Sequence, residues 1–274
     1  MIIDGKKISE KIKETIKKEV SSLSKKPTLT AISLGNNPAS ELYLKIKKKA
    51  CDETGIIFNE IKLPQDTSTE HLVNEINKLN TNKEVNAILI QLPLPKQIDR
   101  EKVFSSISLK KDVEGFNPLN VGKLFYNFPS VMPCTPKGVL RILEVIKVNL
   151  EGKDVVIVGA SNHVGKPLAF NLLSKEATVT FCHIKTRNLK EKTLNADIII
   201  VAAGKPNLIN KDMVKESTIV IDIGINKLNG KIVGDVDFED VKQKAYLITP
   251  VPGGVGPMTV AMLLENTLEL LKDE

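Results

Sequence analysis

The stretch DVVIVGASNHVGKPLAFNLL, residues 154–173, decides the fold. Its apolar run from Val155 to Val158 reads as a buried strand that breaks on Gly159-Ala160-Ser161. A helix is expected to open near Gly165, with Pro167 in its first turn. A strand that turns on glycine into a helix N-terminus is where a dinucleotide fold seats a pyrophosphate, against backbone N–H groups. The loop departs from G-x-G-x-x-G: Ser161 stands at the second glycine position and the last glycine comes one residue late. Plain strand-to-helix punctuation is the competing explanation. The next segments weigh against it, because ATVTFCHIK (177–185), ADIIIVAAGKP (196–206), STIVIDIGIN (217–226) and AYLITPVPGG (245–254) all read as strands, with short helices between most of them.

The second strand of such a unit ends in an acid when a ribose 2′-hydroxyl is to be held. Here FCHIKTRNL (181–189) offers His183, Lys185 and Arg187 and no acid. That suits a 2′-phosphate and hence NADP, although a solvated basic turn accounts equally well for the same letters. IDIGIN (221–226) ends at the edge where the nicotinamide lies in this topology. TPVPGGVGPMT (249–259) sets three glycines and three prolines before a final helix. Glycines let backbone approach a flat ligand closely, and an interdomain hinge would use them as readily.

Upstream the alternation is similar. TLTAISLG (28–35), IIFNEIKLP (56–64) and NAILIQLPLP (86–95) read as strands. Between and around them fall an amphipathic helix from near Asp4, a helix through Tyr43, TEHLVNEINKLN (69–80) and REKVFSSI (100–107). KKDVEGFNPLNVGKLF (110–125) reads as a long loop. In PCTPKGVLRILEVIKV (133–148) Thr135 is the expected N-cap with Pro136 at the first helical position, and a domain boundary is expected near Pro133. Gln91 falls at the carboxyl end of a buried strand, where α/β ligand sites form; its amide can both donate and accept. Asp112 and Glu114 stand two apart in a loop, where paired acids are usually solvated.

ELYLKIKKKA (41–50) carries four lysines. At roughly 100° per residue, with Tyr43 at zero, Leu42, Ile46, Ala50, Cys51 and Leu44 define a broad apolar arc centred near Tyr43. Lys45, Lys48 and Lys49 lie outside it. Lys47, at roughly 40°, lies inside it, one turn beyond Tyr43.

The 274 residues suffice for two domains with real cores. A formal charge of +6, lysines spread rather than massed, no Trp and 4% aromatics argue against a nucleic-acid binder. Cys51, Cys134 and Cys182 make no metal spacing and no even disulfide set, which suits a reducing cytosol and no metal. No apolar run is long enough for a membrane span, and no signal peptide is evident.

Together SELYLKIK (40–47), QLPLP (91–95), KDVEGFNPLNVGKL (111–124), PCTPKGV (133–139), VIVGASNHVGKPLA (156–169), GDV (234–236) and TPVPGGVGPMTVAMLLENT (249–267) resemble the bifunctional 5,10-methylenetetrahydrofolate dehydrogenase/5,10-methenyltetrahydrofolate cyclohydrolase family, almost end to end. The resemblance implies an α/β protein of two domains, each with a largely parallel sheet flanked by helices. One, built from both chain ends (1–135 with 255–274), would be catalytic and bind folate. The other (136–254) would be a Rossmann-type NADP-binding domain. It implies NADP-linked oxidation of methylenetetrahydrofolate, hydrolysis of the methenyl product to 10-formyltetrahydrofolate, a cytoplasmic location and a homodimer. By similarity Tyr43 packs on the folate rings, Lys47 handles protons and helps activate water, and Gln91 positions Lys47. Ile90, Gln91 and Leu92 would line the folate pocket with Pro252, Gly253, Gly254, Val255, Gly256, Pro257, Met258, Thr259 and Val260. Gly159, Ala160, Ser161, Lys185 and Ile225 would hold NADP.

Two departures stand out. The family usually has aspartate where this chain has Glu114; that acid is expected to bind the amino-pyrimidine edge of the pterin, with Asp112 its structural neighbour. Ile184 stands where relatives often carry a small hydroxyl residue. The rival is a single-activity NADP-dependent dehydrogenase of similar two-domain form, such as a shikimate-type enzyme. Lys47 with Gln91 and the PGGVGPMT loop argue against it.

Overall fold

The chain supplies strands for two separate parallel sheets, and the inner strands of the larger one are the apolar runs that cover on both faces requires. The computed structural model describes residues 1–272. Its internal contacts group Glu10–Cys134 with the stretch from Val260 onward, and Met1–Ser9 with Thr135–Thr259.

The first set runs α1 (Gly5–Ser22), β1 (Thr28–Leu34), α2 (Pro38–Thr54), β2 (Ile57–Leu63), α3 (Thr69–Thr81), β3 (Ala87–Ile90), α4 (Arg100–Ser106) and α5 (Pro118–Phe125). Its three strands are parallel in the order β2-β1-β3. Central β1 is buried at every position, whereas edge strand β2 is largely exposed or half-buried. Ile32, Leu72, Ile76, Ile88 and Val103 form the centre of a core between this sheet and α3 and α4. Each such side chain contributes about 1.5–3 kcal/mol by leaving water. Helix starts follow their caps: Asn37 accepts from the N–H groups of Ala39 and Ser40, Ser68 from His71, and Asp99 from Lys102.

The second set runs α6 (Cys134–Val145), β4 (Asp154–Val158), α7 (Gly165–Leu173), β5 (Thr178–Cys182), α8 (Leu189–Asn195), β6 (Ile198–Val201) and a 3₁₀ turn at Lys211–Met213. Then come β7 (Ile219–Asp222), β8 (Asn226–Leu228), β9 (Lys231–Val233), α9 (Phe238–Val241) and β10 (Leu247–Ile248), and last α10 (Val255–Lys272), which groups with the first set from Val260. Five parallel strands take the order β10-β7-β6-β4-β5, and β8 and β9 form a separate antiparallel hairpin. The chain moves from β4 outward to β5, then returns past β4 to β6. This reversal makes a doubly wound sheet whose switch point lies between the loops after β4 and β6. Ile3 at the chain start bonds Ile248, adding a short stretch of backbone beside β10.

Five local expectations are corrected. Residues 118–125 are not loop but helix α5, opened by Asn117 as N-cap and Pro118 at the first position. Thr135 is not an N-cap: α6 already begins at Cys134, and the Thr135 hydroxyl lies 3.1 Å from that of Thr259. The strand expected over 86–95 stops at Ile90, with one further ladder bond from Gln91 N–H to Ile32 O. STIVIDIGIN is no single strand, since β7 ends at Asp222 and Asn226 starts the hairpin. AYLITPVPGG contributes only Leu247–Ile248 to the sheet. No helix among the described residues is long and apolar enough to cross a membrane.

Candidate active site

Lys47 is placed by the register of α2, whose ends are set by the Asn37 cap and by Gly55 in a left-handed conformation. The buried residues of α2 are Ser40, Leu44, Ala50, Cys51 and Thr54. On the helical wheel their mean direction is roughly 40°, that of Lys47 itself. The buried face is therefore centred on Lys47 and not on Tyr43, as the apolar letters suggest: Leu42, Tyr43 and Ile46 are all exposed. Lys45, Lys48 and Lys49 point to solvent as expected. The Lys47 side chain is only 12% exposed.

Two partners meet its ammonium. Gln91, just past the carboxyl end of β3, accepts from Lys47 Nζ through Oε1 at 3.1 Å and donates through Nε2 to Leu92 O at 2.7 Å. The second bond turns the Gln91 amide so that its oxygen faces the lysine. Glu114 Oε1 lies 3.8 Å from Lys47 Nζ. Burial pushes the Glu114 carboxyl above the usual glutamate range and the nearby Asp112 adds to that, while Lys47 pulls it back.

The segment carrying Glu114 is docked along β3. Ile88 N–H donates to Lys111 O at 2.7 Å, and Lys111 Nζ caps α3 through the carbonyls of Leu79 and Asn82. Asp112 is 1% exposed and accepts from Phe116 N–H, Asn117 N–H and Asn120 Nδ2. It folds the backbone into the turn that presents Glu114. From α10, Asn266 Nδ2 donates to the carbonyls of Val113 and Met132, both at 2.9 Å. Asn120 and Asn266 were not singled out from the sequence. Asn120 lay in a segment read as loop, and Asn266 acts across 153 residues.

The other expected positions divide by exposure. Ile90 is buried in the core of its sheet and Leu92 is half-buried. In the PVPGGVGPMT stretch Val255 and Met258 are buried, Gly254 packs on Pro250 O, and Pro252 and Gly256 are exposed. Gly253, Pro257, Thr259 and Val260 are half-buried.

In the five-stranded unit, the loop after β4 is built on close backbone approach. Gly159 has φ +128°, and a Cβ there would lie 2.1 Å from Ala202 O. A Cβ on Gly165 would lie 2.0 Å from Gly159 O. Ser161 Oγ accepts from the N–H groups of Val164 and Gly165, fixing the start of α7. Ala160 is half-buried, and Ser161, Lys185 and Ile225 are exposed. His183 shapes the turn after β5, its Nδ1 accepting from Lys185 N–H at 3.1 Å, so that Ile184 stands 97% exposed. No group of three His, Cys, Asp or Glu side chains suited to a metal occurs among the described residues.

A doubly wound sheet with a glycine loop at its switch point, in a chain whose other parallel α/β unit carries a lysine–amide–carboxylate trio, defines a two-unit α/β protein of the dinucleotide-binding class. The chain belongs to the tetrahydrofolate dehydrogenase/cyclohydrolase family: the catalytic-domain description matches residues 3–114 and the NAD(P)-binding-domain description residues 133–274. It is 53% identical over 277 residues to the bifunctional protein FolD of Aquifex aeolicus, covering 99% of this chain and 95% of that one. The solved structure of the bifunctional FolD enzyme of Campylobacter jejuni is 51% identical, with a TM-score of 0.97 and coverage of 100% and 99%. That of the Trypanosoma brucei enzyme, complexed with NADP cofactor and an inhibitor, is 35% identical, with a TM-score of 0.95 and coverage of 100% and 97%.

Proposed function

We infer that the chain oxidises 5,10-methylenetetrahydrofolate to 5,10-methenyltetrahydrofolate with NADP⁺ and hydrolyses the product to 10-formyltetrahydrofolate. The observation that carries this is the Lys47–Gln91–Glu114 arrangement in a member of the family. The residues present fit a dinucleotide. The Gly159–Gly165 approach leaves no room for side chains inside the loop, so it presents backbone closely at the switch point. Gly159, Ala160 and Ser161 would hold the pyrophosphate through backbone, Lys185 would face the 2′-phosphate, and Ile225 would contact the nicotinamide end. When bound, NADP⁺ supplies the acceptor for the hydride of the methylene carbon. The protein's own task in that step is orientation.

Hydrolysis needs protein chemistry. A water oxygen bonds to the carbon that joins N5 and N10 and gives up both its protons as the formyl C=O forms. The bond from that carbon to N5 breaks, N5 takes one proton, and the other leaves to solvent with the charge of the methenyl cation. Lys47 Nζ is the group placed to move a proton between the water and the opening ring, with Gln91 Oε1 fixing its direction. Tyr43, one turn away and 39% exposed, offers a ring face to the folate. Glu114 would accept from the amino-pyrimidine edge. Ile90, Leu92 and residues 252–260 would complete the folate contacts, with residues 1–135 and 255–274 forming the catalytic domain and 136–254 the NADP domain. A cytoplasmic homodimer completes the proposal.

The decisive experiment gives the purified chain methylenetetrahydrofolate with NADP⁺ or NAD⁺ and follows methenyl and formyl products separately. Both products with NADP⁺ are expected; methenyl product alone would leave the single-activity dehydrogenase, and neither would overturn the proposal. Light scattering of the same sample should give the mass of a dimer.

A further prediction concerns the loop. Gly159→Ala forces either the Ala202 carbonyl or the loop to shift, and adds left-handed backbone strain of about 1–3 kcal/mol. It should weaken NADP⁺ binding at least about tenfold by calorimetry while methenyltetrahydrofolate hydrolysis persists.

A further inference from the structure

The GDV motif at 234–236 has no part in the chemistry above, yet it carries a buried carboxylate that bonds several backbone N–H groups. Asp222 and Asp235 are 2% and 0% exposed. Asp235 Oδ2 accepts from the N–H groups of Ala203 (2.6 Å) and Gly204 (2.9 Å), and its Oδ1 from Lys205 N–H (2.9 Å) and Asn226 Nδ2 (2.8 Å). One carboxylate thus ties the loop after β6 to the first residue of β8. Asp222 holds Asp235 in turn. Its Oδ1 accepts from Gly224 and Asp235 N–H, and its Oδ2 from Val236 N–H. Burial pushes the Asp222 carboxyl up to about 6, against those three backbone donors.

The glycine of the motif is explained by the same geometry. A Cβ on Gly234 would lie 1.8 Å from Asp222 Oδ2, and one on Gly224 would lie 2.2 Å from Asp235 Cγ. Backbone is thinned on both sides so that the two carboxylates can enter. The loop they hold begins with Ala202, whose carbonyl is the surface against which Gly159 packs. Asn226, the side-chain donor, directly follows Ile225, which is 51% exposed.

We propose that Asp235 is a positioning residue for the dinucleotide: it locks the loop after β6 and Asn226 into one wall of the switch-point crevice, and so fixes both the Ala202 carbonyl behind Gly159 and the exposed Ile225. The proposal rests on NADP binding to this unit, as inferred above. Asp235 touches no ligand and acts through the backbone it bonds.

Asp235→Asn is the sharpest test, because either orientation of the amide sets an NH₂ against two donors with almost no change of volume. By calorimetry the variant should bind NADP⁺ at least about tenfold more weakly than the wild type. KM for NADP⁺ should rise correspondingly, while hydrolysis of supplied methenyltetrahydrofolate stays within about twofold. Asn226→Ala, which deletes one donor and leaves Asp235 its three backbone bonds, should fold and show a smaller loss of the same kind. Unchanged NADP⁺ affinity in a folded Asp235→Asn protein, or in Asn226→Ala if the first does not fold, would overturn the proposal. So would an equal fall in NADP⁺ binding and hydrolysis together with a lowered unfolding midpoint, the mark of a merely structural role. A wild-type protein that does not bind NADP⁺ would instead refute the cofactor assignment on which the proposal stands.

Discussion

Replacing Lys47 by methionine is expected to lower hydrolysis of 5,10-methenyltetrahydrofolate by about a hundred- to ten-thousand-fold, the range associated with loss of a positioned general acid or base. Methionine keeps most of the apolar stem that α2 buries and removes only the nitrogen, so the loss reports chemistry and not packing. Gln91 Oε1 and Glu114 both face Lys47 Nζ, at 3.1 and 3.8 Å, and both lose that partner. A moderate loss of stability follows, about 1–3 kcal/mol, because these groups are only partly solvated. The hydrolysis should be followed with methenyltetrahydrofolate supplied directly, since coupling it to the oxidation would confuse the two steps. NADP⁺ affinity, measured by calorimetry, should not change. Full hydrolysis by this variant would sink the role given to Lys47. Gln91→Leu should lie between the variant and the wild type, since it leaves the nitrogen but frees its direction.

That Lys47 differs from its neighbours was legible because helical periodicity is local: a lysine at the centre of a buried face breaks the pattern of a wet one. The centre of that face is not legible from the letters. Leu42 and Ile46 are apolar by letter, yet α2 turns them to solvent, and small Ser40 and Thr54 occupy the buried side. The doubly wound sheet was legible for a similar reason, since strands covered on both faces read as continuous apolar runs, as in Val155–Val158 of β4 and in β6. Short elements were not. Helix α5 hides a capping signal, Asn117 followed by Pro118, behind Gly122 and a polar approach. The β8–β9 hairpin rests on Asn229-Gly230, both at positive φ, a turn signal masked by the apolar run before it. The supports of the site were the least legible. Asn266 and Asp235 bond backbone groups distant in sequence, and Asn120 donates to the Asp112 carboxylate inside a segment that reads as loop; no spacing rule marks such partners.

The two acids of KDVEG are expected to separate cleanly on mutation, because the fold uses them differently. Asp112→Ala strands the Phe116 and Asn117 N–H groups and Asn120 Nδ2 in a site that is 1% exposed. At about 1–3 kcal/mol for each buried donor left unsatisfied, the loss is several kcal/mol, enough to unfold a marginal domain. Denaturant unfolding should therefore register Asp112→Ala strongly. Glu114→Ala removes a side chain that bonds no backbone donor and whose carboxyl is already disfavoured by burial and by Asp112. Its stability should fall by no more than about 1–3 kcal/mol, less than for Asp112→Ala, because Lys47 loses one partner but keeps Gln91 Oε1. Folate affinity should behave in the opposite way, falling at least about tenfold for Glu114→Ala, because the amino-pyrimidine edge loses a charged acceptor. The burial of Glu114 also gives folate binding a pH dependence. Its carboxyl lies above the ordinary glutamate range, and the charged groups facing it are Lys47 and Asp112. As pH falls through that raised value the carboxylate takes a proton and ceases to accept from the pterin, so folate binding should weaken at a higher pH than an ordinary glutamate would give. A Glu114→Gln protein should bind weakly and lose that acidic limb. An Asp112→Ala protein that folds normally but no longer binds folate, beside a Glu114→Ala protein that binds it well, would reverse the assignment of the two acids.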